Sequence, residues 1–292
     1  MAPSELPPGF AARPLGAADI GAAMGLSAEA GWNQVEADWR IFVELGSGIA
    51  VTNGEGKLAA TAAMLPHGGR VAWISMVLVT ARYRRLGLAT WLLGRCTATL
   101  LAQGLTPFLD ATEAGRALYL GLGFRDCWGS RRMVACDAVA AGGDAVPCGV
   151  VVRPLVAGDW AKLVAYDAAI FGAERGKLLR RLAERLPAAA LVAENAGDIV
   201  GFLLGRDGRV MNQLGPLAAD SETIARALLG RVLAAVPAPL VIDLPDRHAS
   251  LRAWLAGMGF SAERPLMRMV HGGDATSGDT SRLFAIAGPE LG

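Results

Sequence analysis

Nothing in this sequence is concentrated in the way that metal sites, nucleic-acid surfaces or membrane spans require. Its four cysteines (Cys96, Cys127, Cys136, Cys148) form no CxxC pair, and its three histidines (His67, His248, His271) are far apart. That spacing argues against a structural zinc site. Buried or incidental thiols in a reducing cytoplasm are the plainer reading. The 28 basic and 27 acidic residues are scattered and leave a net charge of +1. No basic run marks a nucleic-acid partner. The mean hydropathy of +0.36 comes from Ala, Leu, Val and Gly spread along the chain. The longest clean apolar stretch, near Val71–Val79, is too short to span a bilayer. Met1 to Phe10 has neither a positive n-region nor an apolar h-region, so no signal peptide and a cytoplasmic location are expected.

What the chain does have is one plan written twice. Its 292 residues suggest two domains on length alone. Arg13-Pro14-Leu15 with Asp19 recurs as Arg153-Pro154-Leu155 with Asp159, an offset of 140. Gly56-Lys57-Leu58 lines up with Gly197-Asp198-Ile199 at an offset of 141. Leu92-Leu93-Gly94-Arg95 recurs as Leu228-Leu229-Gly230-Arg231, and Gly123-Phe124 as Gly259-Phe260, both at 136. The second copy has therefore lost about four residues between its fourth strand and the next helix. In the first copy that stretch contains Arg84-Arg85-Leu86-Gly87-Leu88-Ala89.

Each copy opens on a short strand carrying Arg-Pro-Leu, then a helical region, then a strand pair. The first pair, Gly48–Asn53 and Lys57–Met64, is joined at Asn53-Gly54, a dipeptide that favours hairpins. Its counterpart is Ala190–Glu194 and Asp198–Gly205. The apolar run Val71–Val79 predicts a strand covered on both faces, matched by Val210–Ala218. Leu88, Trp91, Leu92, Cys96 and Leu100 follow at helical spacing, with Gly104 as a stop. A strand Thr106–Asp110 (matched by Leu240–Asp243) and a helix Gly115–Leu122 (matched by Ser250–Met258) complete the pattern. The expected fold is α/β (α+β), each domain a mixed, mostly antiparallel sheet flanked by helices. The expected domains are 1–137 and 148–271, joined by a small-residue linker over 138–147. Residues 272–292 read as a flexible linker and C-terminal tail. Its apolar Leu283-Phe284-Ala285-Ile286-Ala287 would either dock back onto the body or trail free.

Arg84-x-x-Gly87-x-Ala89 lies between a buried strand and an amphipathic helix. A helix N-terminus offers unpaired N–H groups and a partial positive charge, both suited to phosphate. Gly87 lets the backbone approach that phosphate, and Arg82, Arg84 and Arg85 add cationic side chains. The dinucleotide and Walker patterns do not fit. On the local pattern alone, an ordinary basic loop capping a helix is the alternative.

Context favours the phosphate site. Ser75-Met76-Val77-Leu78-Val79 followed by Tyr83-Arg84-Arg85-Leu86-Gly87-Leu88-Ala89 resembles the coenzyme A pyrophosphate motif of the GNAT superfamily of N-acyltransferases. Ala117-Leu118-Tyr119-Leu120-Gly121-Leu122-Gly123-Phe124 resembles that family's second motif, in the right order and at the right separation. The resemblance covers roughly residues 10–135. The second half resembles the same fold with weaker motifs, so the chain looks like a tandem GNAT protein with a degenerate C-terminal copy.

The resemblance implies acetyl-CoA as cofactor and an N-acetyltransferase that passes its acetyl group to a primary amine. Two central strands would part, leaving backbone groups of Val77, Leu78 and Val79 to pair with the pantetheine arm. Arg84, Arg85, Leu86, Gly87, Leu88, Ala89 and Thr90 would hold the pyrophosphate. The amine would attack the thioester directly, with a backbone N–H such as that of Val77 steadying the oxyanion. Tyr119 stands where the family's general acid lies. The family often has Asn seven residues before that tyrosine; here it is Thr112. Asp110, Glu113 or water through a chain would take the amine's proton. The second copy's loop has shrunk to Ala219-Asp220-Ser221-Glu222, and Leu255 stands at the position of Tyr119. One active site per chain is therefore expected, in the N-terminal domain.

Trp32, Asn33, Gln34 and Asp38 lie where this fold builds its acceptor site. Trp32 and Trp39 are either an aromatic wall or two core anchors on one helix face. In copy two, Asp167 and Arg175 could reach a polar substrate or pair on the surface. The partners expected are a small-molecule or peptide amine and neither nucleic acid nor membrane, with the chain a monomer or homodimer. The other readings are a non-catalytic CoA-binding or regulatory module, and a transferase using a different acyl donor.

Overall fold

The computed structural model describes residues 5–137, 146–272 and 278–292. Most of the linker expected over 138–147 thus lies outside the described residues. The first copy runs β1 (Phe10–Pro14), α1 (Ile20–Glu29), α2 (Glu36–Leu45), β2 (Ser47–Asn53), β3 (Leu58–His67), β4 (Val71–Val79), α3 (Leu88–Ala102), β5 (Thr106–Thr112), α4 (Glu113–Gly121) and β6 (Phe124–Ala135). The second runs β7 (Val150–Pro154), α5 (Trp160–Phe171), α6 (Gly176–Arg185), β8 (Leu191–Asn195), β9 (Asp198–Arg206), β10 (Asn212–Ala219), α7 (Glu222–Leu233), β11 (Leu240–Pro245), α8 (Ala249–Gly257) and β12 (Ser261–His271). A short strand β13 (Leu283–Ala285) follows. No helix of the described residues is long and apolar enough to cross a membrane.

The duplicated sequence signals have local causes. Arg13 holds both carboxylate oxygens of Asp19 (2.7 and 2.6 Å), and Asp19 also accepts the Gly16 N–H. Arg153 holds Asp159 in the same way (2.7 and 2.8 Å), and Asp159 accepts from Val156 N–H. The Arg-Pro-Leu…Asp signature therefore fixes the turn from the first strand into the first helix of each copy. Asn53 Oδ1 accepts the N–H groups of Glu55 and Lys57, a side chain closing its own hairpin turn. Thr112 caps α4 through Gly115 N–H, and Ser221 caps α7 through Ile224 N–H.

The described residues form two compact units, which are not the two sequence copies laid end to end. Unit 1 holds residues 5–127, 268–272 and 291; unit 2 holds 128–137, 146–267, 278–290 and 292. Each copy's final strand is thus shared out: β6 beyond Cys127 belongs to unit 2, and the end of β12 from Arg268 belongs to unit 1. In unit 1 the order is β1-β2-β3-β4-β5, with the end of β12 beside β5. The pairings β1–β2, β2–β3 and β3–β4 are antiparallel and β4–β5 is parallel. In unit 2 the order is β6-β11-β10-β9-β8-β7, again with one parallel pair, β10–β11, among antiparallel ones.

Both cores are apolar and tightly filled. Trp39, Phe42, Leu65, Trp73, Met76, Leu92 and Phe108 are fully buried in unit 1, where α3 packs on β3, β4 and β5. In unit 2, Leu203, Leu214, Leu217, Leu228 and Ile242 share one cluster with Met133 and Ala135 of β6. The parallel strands β4 and β10 are covered along almost their whole length, which explains why apolar residues dominate both.

The two cores share one polar device. Asp243 on β11 takes a bidentate pair from Arg132 of β6 (2.8 Å each) and a hydrogen bond from Gln213 Nε2 on β10 (3.1 Å). Asp110 on β5 takes a bidentate pair from Arg268 of β12 (3.0 and 2.9 Å) and one from Trp73 Nε1 on β4 (3.1 Å). Arg132 and Arg268 are 136 apart, and Trp73 and Gln213 are 140 apart, so the device is duplicated with the fold. Removing one partner leaves a buried charge without compensation. Asp243→Ala is expected to destabilise the protein by about 3–5 kcal/mol, measured as a shift in the urea midpoint.

Candidate functional site

In unit 1, β4 and β5 pair in register over Val71–Trp73 and Thr106–Phe108 and then part, although β4 continues to Val79 and β5 to Thr112. Met76 marks a break in the β3–β4 register, with φ at +52° and its carbonyl accepting the buried Thr61 hydroxyl at 2.9 Å. Beyond it, β4 keeps its pairing with β3 through Leu78 and Val79. The edge of β4 that faced β5 is left with backbone groups directed into the gap. A strand edge of this kind can pair with an extended amide chain.

The gap opens onto a cleft of about 360 Å³ lined by Ala30, Trp32, Val77, Leu78, Val79, Tyr83, Arg84, Arg85, Gly87, Leu88, Ala89 and Thr90. The loop curls through two positive-φ residues, Arg85 (+65°) and Gly87 (+86°), before α3 begins. Trp91 N–H donates to Gly87 O, so the amides of Leu88, Ala89 and Thr90 precede the first intrahelical bond and point off the helix end. No atom lies within 4 Å of where a Cβ would sit on Gly87. The approach to those amides is open, and the glycine is required by its φ. Arg84 Nε donates to Val79 O at 3.2 Å, tying the loop to the strand end, while Arg82 lies over the Tyr83 ring. Free helix-end amides, cationic loop and bare strand edge together fit a chain of amides that ends in a pyrophosphate.

The structure thus brings together nine of the ten residues expected around the cofactor: Val77, Leu78, Val79, Arg84, Arg85, Gly87, Leu88, Ala89 and Thr90. Leu86 is half-exposed at the loop tip and is not among the described lining residues. Two contributors were missed by sequence reasoning, and a third, Tyr83, was quoted only as the head of the loop motif. Tyr83 lines the cleft and accepts a hydrogen bond from Asn53 Nδ2 at 3.0 Å. Ala30 lines it from the end of α1. Glu29 accepts the Ala81 N–H, and that bond, with one from Thr80, holds its carboxyl below the usual carboxylate range. Glu29 and Ala81 are 52 residues apart, and no local pattern links them.

Tyr119 lies on α4, half-buried, with its phenol oxygen 3.1 Å from where a Cβ would sit on Gly115 and its ring 6.3 Å from that of Phe124. Burial pushes its phenol above the usual tyrosine range, so it keeps its proton at neutral pH. It is not among the described lining residues of the cleft. Glu113 opens α4 and is exposed.

The expected acceptor-side residues separate. Trp32 lines the cleft from the loop between α1 and α2. Trp39 is fully buried on α2 with its Nε1 on Ser27 Oγ, so the two tryptophans do not share a helix face. Asn33 is half-buried and Gln34 buried. Asp38 is buried in the first turn of α2 and its side chain reaches back to accept Val35 N–H at 2.9 Å, which braces the helix start and removes it as an exposed acid. Asp110 is corrected likewise: both its oxygens are engaged by Arg268 and Trp73. Asp167 and Arg175 form a fully buried bidentate pair in unit 2 (2.9 and 3.0 Å), with Arg175 also donating to Gly292 O and lying 3.8 Å over the Phe171 ring. The pair is internal where surface pairing was the alternative.

Two family models match this chain. One, described as the acetyltransferase (GNAT) family, covers residues 25–124; the other, described as an acetyltransferase (GNAT) domain, covers residues 163–285. An uncharacterized N-acetyltransferase of Bacillus subtilis, YitH, is 28% identical over 236 residues, which is 80% of this chain and 82% of that protein. A putative acetyltransferase from Pyrococcus horikoshii superposes with a TM-score of 0.80 at 20% identity, over 99% of this chain and 98% of the other. A tandem GNAT protein from the clavulanic acid biosynthesis pathway gives a TM-score of 0.65 at 16% identity, over 91% of this chain and 100% of the other. At these identities the two structures speak for the fold.

The engagement of Asp110 generates a prediction. Asp110→Asn is expected to cost about 3 kcal/mol of stability and to leave the acidic limb of the kcat/KM profile against pH in place. Disappearance of that limb would make Asp110 a base after all.

Proposed function

This chain is a tandem member of the GNAT family of acetyltransferases, and we propose that it carries an acetyl group from acetyl-CoA to a primary amine at one active site, in unit 1. The observation that carries this reading is the parting of β4 from β5 directly above the Gly87 loop, which gives a strand edge and a helix end in one cleft. Bound there, acetyl-CoA supplies an acyl group activated as a thioester.

The protein's own part is binding, orientation and proton handling. Backbone groups of Val77, Leu78 and Val79 hold the pantetheine arm as an added strand. The amides of Leu88, Ala89 and Thr90, with Arg84 and Arg85, hold the pyrophosphate. The Val77 N–H donates to the acyl carbonyl oxygen, where negative charge grows as the amine attacks. Tyr119 gives its proton to the departing sulfur, and its raised pKa keeps that proton available. With Asp110 engaged by Arg268, the amine's proton leaves through water in the open cleft. Trp32 forms an aromatic wall beside the gap and favours an acceptor with an apolar body next to its amine.

Two measurements test the reading. Calorimetric titration with acetyl-CoA is expected to give one site per chain. Gly87→Glu, which forces an L side chain and a negative charge into the +86° position, is expected to abolish it. Normal binding by that variant would refute the loop assignment. Tyr119→Phe is expected to lower kcat by about 10²–10⁴-fold with little change in the affinity for acetyl-CoA, read by thiol release. An unchanged kcat would remove the acid role.

A further inference from the structure

Unit 2 has the same gap, and it is filled. Strands β10 and β11 pair over Asn212–Leu214 and Leu240–Ile242 and then part, as β4 and β5 do. In unit 2 the chain's own segment enters: β13 pairs antiparallel with β10, Leu217 opposite Ala285 and Ala218 opposite Leu283. On the far side Ile286 N–H donates to Asp243 O of β11 at 3.1 Å. Leu217 and Ala218 are the residues 140 positions after Val77 and Leu78. The segment therefore takes up the edge that in unit 1 has no strand partner among the described residues.

Several side chains are shaped to this occupant. Leu283, Phe284, Ala285, Ile286 and Ala287 are all buried. His248 stacks on Phe284 at 4.2 Å, and its Nε2 lies 2.9 Å from Leu283 O. On β10, Gly215 has φ at +142°, and a Cβ there would come within 2.1 Å of Ile286 O. The charge is also matched. Where unit 1 has arginines, the shortened loop of unit 2 has Asp220 and Glu222, and Arg282 at the head of the segment pairs with Asp220. Arg282 also lies 4.8 Å over the Tyr166 ring, whose hydroxyl sits 2.8 Å from Asp220.

We propose that residues 282–287 are an internal ligand. Unit 2 keeps a groove for an extended amide chain and fills it with its own backbone, which closes that groove to acyl donors and makes the segment part of the unit's fold. The comparison with a donor groove rests on the function proposed for unit 1. The occupancy itself rests on the hydrogen bonds and burial in unit 2.

Amide hydrogen exchange on the full chain, with and without saturating CoA, tests this. Residues 217–219 and 283–287 are expected to be protected without CoA and unchanged by it, while 77–79 gain protection only with CoA. Phe284→Asp is expected to speed exchange at 217–219 and 283–287 by about tenfold or more while the response of 77–79 persists. If Phe284→Asp does not fold, Arg282→Ala, at the half-buried head of the segment, is expected to speed exchange at 283–287 several-fold. Free-chain exchange at 283–287 in the wild type, release of that segment by CoA, or variants that leave 217–219 and 283–287 as protected as before would overturn the proposal. Failure of 77–79 to respond to CoA would instead count against the function proposed for unit 1, because protection of 283–287 is read without CoA.

Discussion

Two buried aspartates, Asp110 and Asp243, stand where a parallel strand pair comes apart, and each is clamped by an arginine from the last strand of the other sequence copy. A carboxylate and a guanidinium taken out of water are stable only when paired with good geometry and fully hydrogen-bonded. Both pairs meet that condition: each is bidentate and carries a third hydrogen bond, from Trp73 or Gln213 on the neighbouring strand. The pairs fix which strand lies beside β5 and beside β11 at the point where the sheet would otherwise be free to close. The parallel pairing ends beside them, at Phe108 and at Ile242.

From that constraint the two units diverge. In unit 1 the gap stays open, and next to it stands a loop whose two positive-φ residues direct helix-end amides outward. In unit 2 about four residues of loop are gone, two carboxylates replace the arginines, and β13 occupies the strand edge. One backbone plan thus gives an open cleft in one unit and a closed core in the other. Parallel strands that separate leave polar backbone groups that need partners. Unit 2 supplies them from its own chain; in unit 1 the same stretch lines an open cleft.

Much of this was legible in the sequence. The duplication, the strand Val71–Val79 and the loop with Gly87 could be read because each rests on neighbouring residues: an apolar run, a turn dipeptide, a glycine before a helix. Nine of the residues expected around the cofactor came from one continuous stretch and gather in one cleft for that reason. The acidic candidates stayed open between site and structural roles, because an isolated Asp looks the same whether it braces a helix start, as Asp38 does, or pairs with an arginine 158 residues away, as Asp110 does. The last strand of each copy also went unread, although Arg132-Met133-Val134 and Arg268-Met269-Val270 repeat at the offset of 136.

The sequence by itself determined the repeated fold, the acetyltransferase family and the half of the chain that carries the glycine loop before its helix, since periodicity, turn chemistry and short motifs act over a few residues. Only the tertiary structure decided that Asp110, Asp167 and Arg175 are internal, that Glu29 braces the loop, and that residues 283–287 fill the second gap. Those outcomes depend on which backbone and side-chain groups meet across tens to hundreds of residues. Such meetings are set by packing and by the need of buried polar groups for partners, and no local pattern records them.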